Sequence, residues 1–267
     1  MKAKRKFRLS YLYLGLVVLF LYLPIALVAV YSFNAGRLSS VWEGFSLRWY
    51  QELFRDKELF EALWNSIVLG VCASCGAAVI GTLGAVGFQR LRWRSKGVVE
   101  YISTLPMMTP EIILGMVGMA SFSLIGLPFG MTTLIIGHTA FCIPYVYMLV
   151  KARLVGMDKS LVEAARDLGA GELQAFFDVT LPLLAPAIAS GMLLSFVMSF
   201  DDVIISLFVT GVNVNTLPIK IYTQLRTGVT PEINALCVLM LAVTVAGVGL
   251  SALLGRLGGH KKKEETL

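Results

Sequence analysis

The chain reads as an all-α integral membrane protein. Hydrophobic residues fill 57% of its 267 positions and charged residues only 15%, with a mean hydropathy of +0.76, far from the balance of a soluble domain. Its apolar runs are about 20 residues long, which is what a helix rising ~1.5 Å per residue needs to cross ~30 Å of hydrocarbon. Backbone groups find no water in lipid, so a spanning element is a helix or part of a closed barrel. Barrel strands would instead show ~10-residue segments of alternating polarity.

Six spans are expected at about 10–32, 62–88, 101–125, 131–150, 184–208 and 232–255, filling one transmembrane domain over 1–267. The first has a basic flank like a signal peptide, but its apolar run exceeds the usual h-region and no small-x-small site closes it, so it is expected to stay as an anchor. Segment 33–61 carries Trp42, Phe45, Trp49, Tyr50 and Phe54 among charges, with Trp64 just beyond. That composition suits chain lying along the outer interface, or a surface that docks an external partner. Cys72 and Cys75 in the second span form C-x-x-C, while Cys142 and Cys237 lie in other spans; the zinc spacing is incomplete and the thiols are read as packing. In the third span Pro106 and Pro110 precede Glu111, so a kink or interruption is expected there. The fourth holds His138, Phe141, Tyr145 and Tyr147. His138 is read as an interhelical hydrogen-bonding residue, with a titrating relay as the alternative.

Orientation follows from the basic residues. With a cytoplasmic N-terminus, 17 of the 23 Lys and Arg fall on the inner side, leaving Arg37, Arg48, Arg55, Lys57, Lys220 and Arg226 outside; both termini are therefore expected inside. The net charge of +6 is then a matter of topology, and no nucleic-acid partner is inferred from it. No G-x-x-x-x-G-K-[ST] phosphate loop and no recognisable pair of nucleophile and base occur in the chain, so nucleotide hydrolysis is expected on another polypeptide.

Between the fourth and fifth spans lies a polar connector, 151–183, with charges of both signs. It contains Glu163-Ala164-Ala165, then Gly169, and after nine residues Val179-x-Leu181-Pro182. Small Ala164 and Ala165 allow close approach of another protein, Gly169 permits a sharp turn between short helices, and Pro182 suits the first turn of the next helix. The pattern resembles the EAA loop (E-A-A-x-x-x-G, nine residues, I-x-L-P) of the membrane subunits of binding-protein-dependent ABC importers, with Val179 in place of Ile. Further stretches, SFDDVIISLFVTG at 199–211, LPIKIY at 217–222, GVTPEINA at 228–235 and MMTPEI at 107–112, resemble the C-type permease subunits of bacterial spermidine/putrescine importers. The likeness runs from Tyr11-Leu12-Tyr13 to the last helix.

The resemblance implies a type I ABC importer permease fold in the bacterial inner membrane. It also implies a second homologous permease, a cytoplasmic ATPase dimer carrying ATP and Mg, and a periplasmic polyamine-binding protein. No cofactor is expected in this chain. Residues 151–183 would be the cytoplasmic coupling loop, seated in a groove of the ATPase. Alternatives are the same machine for another cationic or polar solute and, from a different class, an ion-coupled carrier working without an ATPase.

Three acidic residues fall within expected spans, and such groups are by default functional hypotheses. Glu111 lies in the third, Asp201 and Asp202 in the fifth; fixed negative charge favours a cationic cargo and opposes an anion. On a continuous helix the two aspartates point about 100° apart. Ser195, Ser199, Asp202 and Ser206 would share one face, placing Asp202 in the pathway with Ser199, and Asp201 at the interface between permeases. The same stripe would equally suit a face turned to a neighbouring helix. Tyr145 is a further pathway candidate through cation–π contact with an ammonium group, and packing is the alternative.

Overall fold

The computed structural model describes residues 2–37, 41–90, 96–158, 160–228 and 230–245. Among them no strand forms beyond an isolated bridge between Asn34 and Phe45. Among the described residues four helices are long and apolar enough to span: Leu9–Tyr31, Lys57–Gln89, Met131–Val155 and Glu172–Asp201. A fifth span is counted if Gly97–Met107 and Glu111–Leu124, bent by 102°, are taken together. The last apolar helix is described over Pro231–Val245. Its expected continuation to 255 lies outside the described residues, as do Arg92, Arg94, Lys159, Arg256 and Lys261 to Lys263, which contributed to the expected orientation.

The chain divides into two compact units, one of residues 1–57 with 223–267 and one of residues 58–222. In the first, helix α1 (Lys2–Tyr31) exposes large side chains such as Phe20, Tyr22 and Leu19 along its length, a surface suited to lipid or protein cover. The chain then turns around Asn34, whose Nδ2 donates to the Val41 carbonyl at 2.6 Å while its Oδ1 accepts from the Glu43 amide at 2.8 Å. Trp49, on the short helix α2 (Arg48–Leu53), donates its indole N–H to the Asn34 carbonyl at 2.8 Å and is only 6% exposed. Tyr50 bonds Ser32 at 2.8 Å and its ring lies 5.2 Å from that of Phe33. Trp49 therefore differs from the expected role: it holds the segment's own fold, while Trp42, Phe45 and Phe54 stay exposed as interface residues do.

In the second unit, α3 (Lys57–Arg90) leads to α4 (Lys96–Thr104), a 3-10 turn at Leu105–Met107, and α5 (Glu111–Leu124). Pro110 takes φ −54°, ψ 132°, an extended residue whose ring removes a helical donor, and the expected interruption of the third span appears there. Helix α6 (Met131–Val155) forms the centre of the core, burying Leu134, Phe141, Cys142, Val146, Val150 and Leu154. Gly81 of α3 lies so near it that an added Cβ would meet the Ile143 carbonyl oxygen and Val146 Cβ at 3.0 Å, which is close backbone approach as glycine allows between membrane helices.

The connector folds into α7 (Ser160–Asp167), α8 (Glu172–Ala175), a π turn at Phe176–Thr180, and α9 (Leu181–Asp201) with Pro182 in its first turn. The fifth span is not the continuous 184–208 helix that periodicity suggests. It stops at Asp201, Asp202 is extended at φ −70°, ψ 127°, and α10 (Ile204–Val209) begins two residues later. α11 (Leu217–Thr227) follows, with the Leu217 amide bonded to Ser66 Oγ at 2.8 Å. The thiols differ from a uniform packing role: Cys142 is buried, whereas Cys72, Cys75 and Cys237 are exposed.

Candidate functional site

The break between α9 and α10 organises one candidate site. Within α10 the first turn has amides without helical acceptors, and the Asp202 carboxylate supplies them. Its Oδ2 accepts from the Ser206 amide at 2.8 Å and its Oδ1 from the Ile205 amide at 3.2 Å. Bonds from neutral donors to an ionised acceptor are among the stronger ones, and Asp202 is only 7% exposed. A short polar side chain that offers backbone groups an alternative partner is a known reason for a helix to end.

His138 of α6 completes the arrangement. Its ring is fully buried, with Nδ1 2.8 Å from Ser199 Oγ and Nε2 3.0 Å from Ser206 Oγ. Nε2 also lies 3.4 Å from Asp202 Oδ2. The stripe of Ser195, Ser199, Asp202 and Ser206 is buried throughout, and its Ser199, Asp202 and Ser206 members face α6, the second of the two settings that periodicity left open. Ser195 lies on the same side, its carbonyl within 3.5 Å of Cys142 Sγ.

Asp201 has the opposite environment. It is exposed at the C-terminal end of α9, where the macrodipole adds negative potential to its own charge. A hollow of about 330 Å³ beside it is lined by Glu111, Val197, Met198, Asp201, Asp202, Val203 and Ile204. Glu111 stands in the first turn of α5, directly after the Pro110 break. Two helix interruptions thus bring three carboxylates from two spans to one concavity, a field that attracts cations and repels anions. Ser199 does not line it, being engaged by His138; Tyr145 packs its ring 5.5 Å from that of Phe141. His138, which ties the break together, was visible in the sequence only as a lone histidine, since its partners lie 61 and 68 positions away.

The second candidate site is the connector. α7 ends in paired bonds, Gly169 N–H to the Arg166 carbonyl at 2.9 Å and Ala170 N–H to the Ala165 carbonyl at 3.1 Å, the pattern of a Schellman C-cap. Gly169 sits at φ +93°, a left-handed conformation that residues with a Cβ adopt only with strain. Glu163 and Ala164 are exposed and Ala165 half-buried on α7, while Leu181 is half-buried and Pro182 exposed at the start of α9. At the start of α7 the Ser160 amide donates to Asp158 Oδ1 at 2.9 Å, which holds that carboxyl below its ordinary value. Leu168 (90% exposed), Leu173 and Phe177 are large apolar side chains left exposed on an otherwise polar connector.

A profile of the family described as "Binding-protein-dependent transport system inner membrane component" matches residues 77–259. The chain belongs to this family. It is 39% identical over 255 residues to the spermidine/putrescine transport system permease protein PotC of Haemophilus influenzae, covering 96% of this chain and 99% of that one. To the putrescine transport system permease protein PotI of Escherichia coli strain K12 it is 42% identical over 236 residues, covering 85% and 84%. These relatives are permease subunits of transporters, and the chain is a membrane component of the same kind. Among solved structures, a bacterial ABC transporter that imports the acidic polysaccharide alginate superposes with a TM-score of 0.71 at 17% identity, over 93% of this chain and 94% of that chain. The alginate transporter bound to its periplasmic protein gives 0.70 at 18% identity, over 93% of each. This likeness shows the fold, that of an ABC importer permease.

Proposed function

We propose that this chain is one of two membrane-spanning subunits of an ATP-driven importer that takes up polyamines from a periplasmic binding protein. What carries the reading is the identity to polyamine permeases over nearly the whole chain. The acidic hollow of Glu111, Asp201 and Asp202 supports it chemically. The whole chain acts as one six-span, multi-pass domain of the bacterial inner membrane, with both ends cytoplasmic, as the distribution of Lys and Arg suggests. It catalyses nothing itself: ATP and Mg belong to a cytoplasmic ATPase dimer, and this chain carries no cofactor. Its partners are a second homologous permease, that ATPase, the binding protein and membrane lipid, with no nucleic acid.

Transport proceeds by alternating access, a population shift between inward- and outward-open states. ATP closes the ATPase dimer, and Glu163, Ala164, Ala165 and Gly169, with Leu181 and Pro182 at the root of α9, carry that movement into the spans. Cargo released by the binding protein then meets Asp201 and Glu111, whose carboxylates replace part of the water that an ammonium group sheds. Asp202 lines the same hollow, but its two oxygens already serve the amides of α10, so its charge acts on cargo through the field more than by direct contact.

The test is reconstitution of the complete transporter in liposomes with the binding protein. Labelled spermidine or putrescine should accumulate only with ATP. Asp201→Asn and Glu111→Gln keep size while removing one charge each, and at least one should lower uptake at least tenfold without altering cargo binding by the periplasmic protein. Uptake driven by an ion gradient without ATP would favour a carrier, and transport only of other solutes would reassign the cargo. Parental polyamine uptake by both neutral variants would remove the acidic pathway from this subunit.

A further inference from the structure

One residue that does not line the hollow bonds both sides of the helix break beside it. His138 stands on α6, opposite the gap between α9 and α10, and its two ring nitrogens bond one to each side: Nδ1 to Ser199 on α9 at 2.8 Å, Nε2 to Ser206 on α10 at 3.0 Å. A carboxylate only accepts, so in the neutral ring the proton belongs on Nε2, shared between Ser206 Oγ and Asp202 Oδ2 at 3.4 Å, and Nδ1 accepts from the Ser199 hydroxyl. No backbone hydrogen bond of an unbroken helix crosses that gap, because Asp202 is extended and its carboxylate takes the amides of Ile205 and Ser206. The imidazole is planar and rigid, so bonding through both nitrogens constrains the distance and angle between the two helix ends, beside the packing of Ile205 and Val209 in the core and the bond from Thr133 to the Val209 carbonyl at 2.7 Å that hold the rest of α10.

We infer that His138 is a positioning residue that pins the α9–α10 break and so sets where the Asp201 carboxylate stands relative to Glu111 in the hollow. The inference rests on the polyamine-pathway reading for its consequence, though not for its geometry. An amine cargo carries its charges at a separation fixed by its carbon chain. The placement of the two carboxylates therefore acts on which chain lengths pass, and a loosened break should blur that preference.

Two measurements on the complete transporter test this separately. Spin labels at Leu193 on α9 and Leu207 on α10, both exposed, report the break directly. The parental pair should give a narrow distance distribution, His138→Leu a broadened or shifted one, and Ser206→Ala, which removes one hydroxyl from a single side, an intermediate one. The second readout is the relative uptake of diamines from three to five carbons, each variant divided by the parent. The binding protein's own preference cancels in that ratio. A merely destabilised transporter lowers all cargos by the same factor, whereas a misplaced carboxylate changes their ratios, by at least threefold in His138→Leu. Distances unchanged in both variants would overturn the positioning role. Altered distances with unchanged ratios would overturn its effect on cargo. Polyamine transport lost from no acidic variant while the distances still shift would sink the pathway reading and leave the pinned break standing.

Discussion

Asp201 and Asp202 are adjacent and chemically identical, yet the structure gives them different environments, and under the proposed function neutralising each should have different consequences. Asp202 accepts two buried amides at 2.8 and 3.2 Å. Asn at that position offers one acceptor oxygen and turns an NH2 group toward the second amide, so one charge-assisted bond is lost, worth about 1.5–3 kcal/mol. Alanine loses both, about 3–6 kcal/mol with the orphaned donors counted. Asp201→Asn should cost nothing, since it removes a negative charge from the unfavourable end of α9, a change worth about 0.3–1 kcal/mol in its favour. Cys142 is a built-in reporter: it is buried one turn from His138 on α6, with its Sγ 3.5 Å from the Ser195 carbonyl, while the other three thiols are exposed and replaceable by serine. In the assembled transporter, labelling of Cys142 reads local opening. At about 1.4 kcal/mol per decade, Asp202→Asn should accelerate it roughly 10- to 150-fold. Asp201→Asn should leave it at the parental rate while lowering polyamine uptake. Equal labelling rates in the two variants, or faster labelling in Asp201→Asn, would refute the division of labour.

Three further outcomes follow from the connector and the topology. Gly169→Val forces a β-branched residue to φ +93°, costing at least about 1–2 kcal/mol in backbone strain alone. The space around it is empty, so uptake should fall while the spans remain folded and expressed; Gly171→Ala, at φ −66° and equally uncrowded, should transport normally, and matched behaviour of the two would remove the turn from coupling. The Asp158 carboxyl is held below its ordinary value of 3.8 by the Ser160 amide. Its contribution is therefore complete above that value and disappears as pH falls through the lower folded one, so the Ser160 amide resonance should titrate with a midpoint below 3.8 and stay flat from pH 5 to 8. Single cysteines in 33–61 and 209–231 should react with an impermeant reagent in intact cells and one at Lys262 should not; labelling at 262 would reverse the orientation.

Elements built on composition and period were legible in the sequence because those signals are local. The four long spans, the turn at Gly169 and the interruption before Glu111 each announce themselves through apolar length, a glycine or a proline. The second interruption has no such marker. Nothing in Phe200-Asp201-Asp202-Val203 forbids a helix, and treating the span as continuous put both aspartates on faces of one cylinder. The break becomes favourable only when Asp202 can take two amides and His138 can bond Ser199 and Ser206 from a different helix, contacts 61 and 68 positions apart in the chain. Periodicity did show that Ser195, Ser199, Asp202 and Ser206 belong together. It could not show what they face, because a water-filled path and a polar neighbour place the same demand on a helix surface. In the folded chain the buried imidazole bonds Ser199 and Ser206 and lies beside Asp202, whereas Asp201 is exposed. A carboxylate already committed to backbone donors has little left to offer a passing ammonium group, which is why the proposed function places Asp201, exposed at a helix C-terminus, rather than Asp202 in contact with cargo.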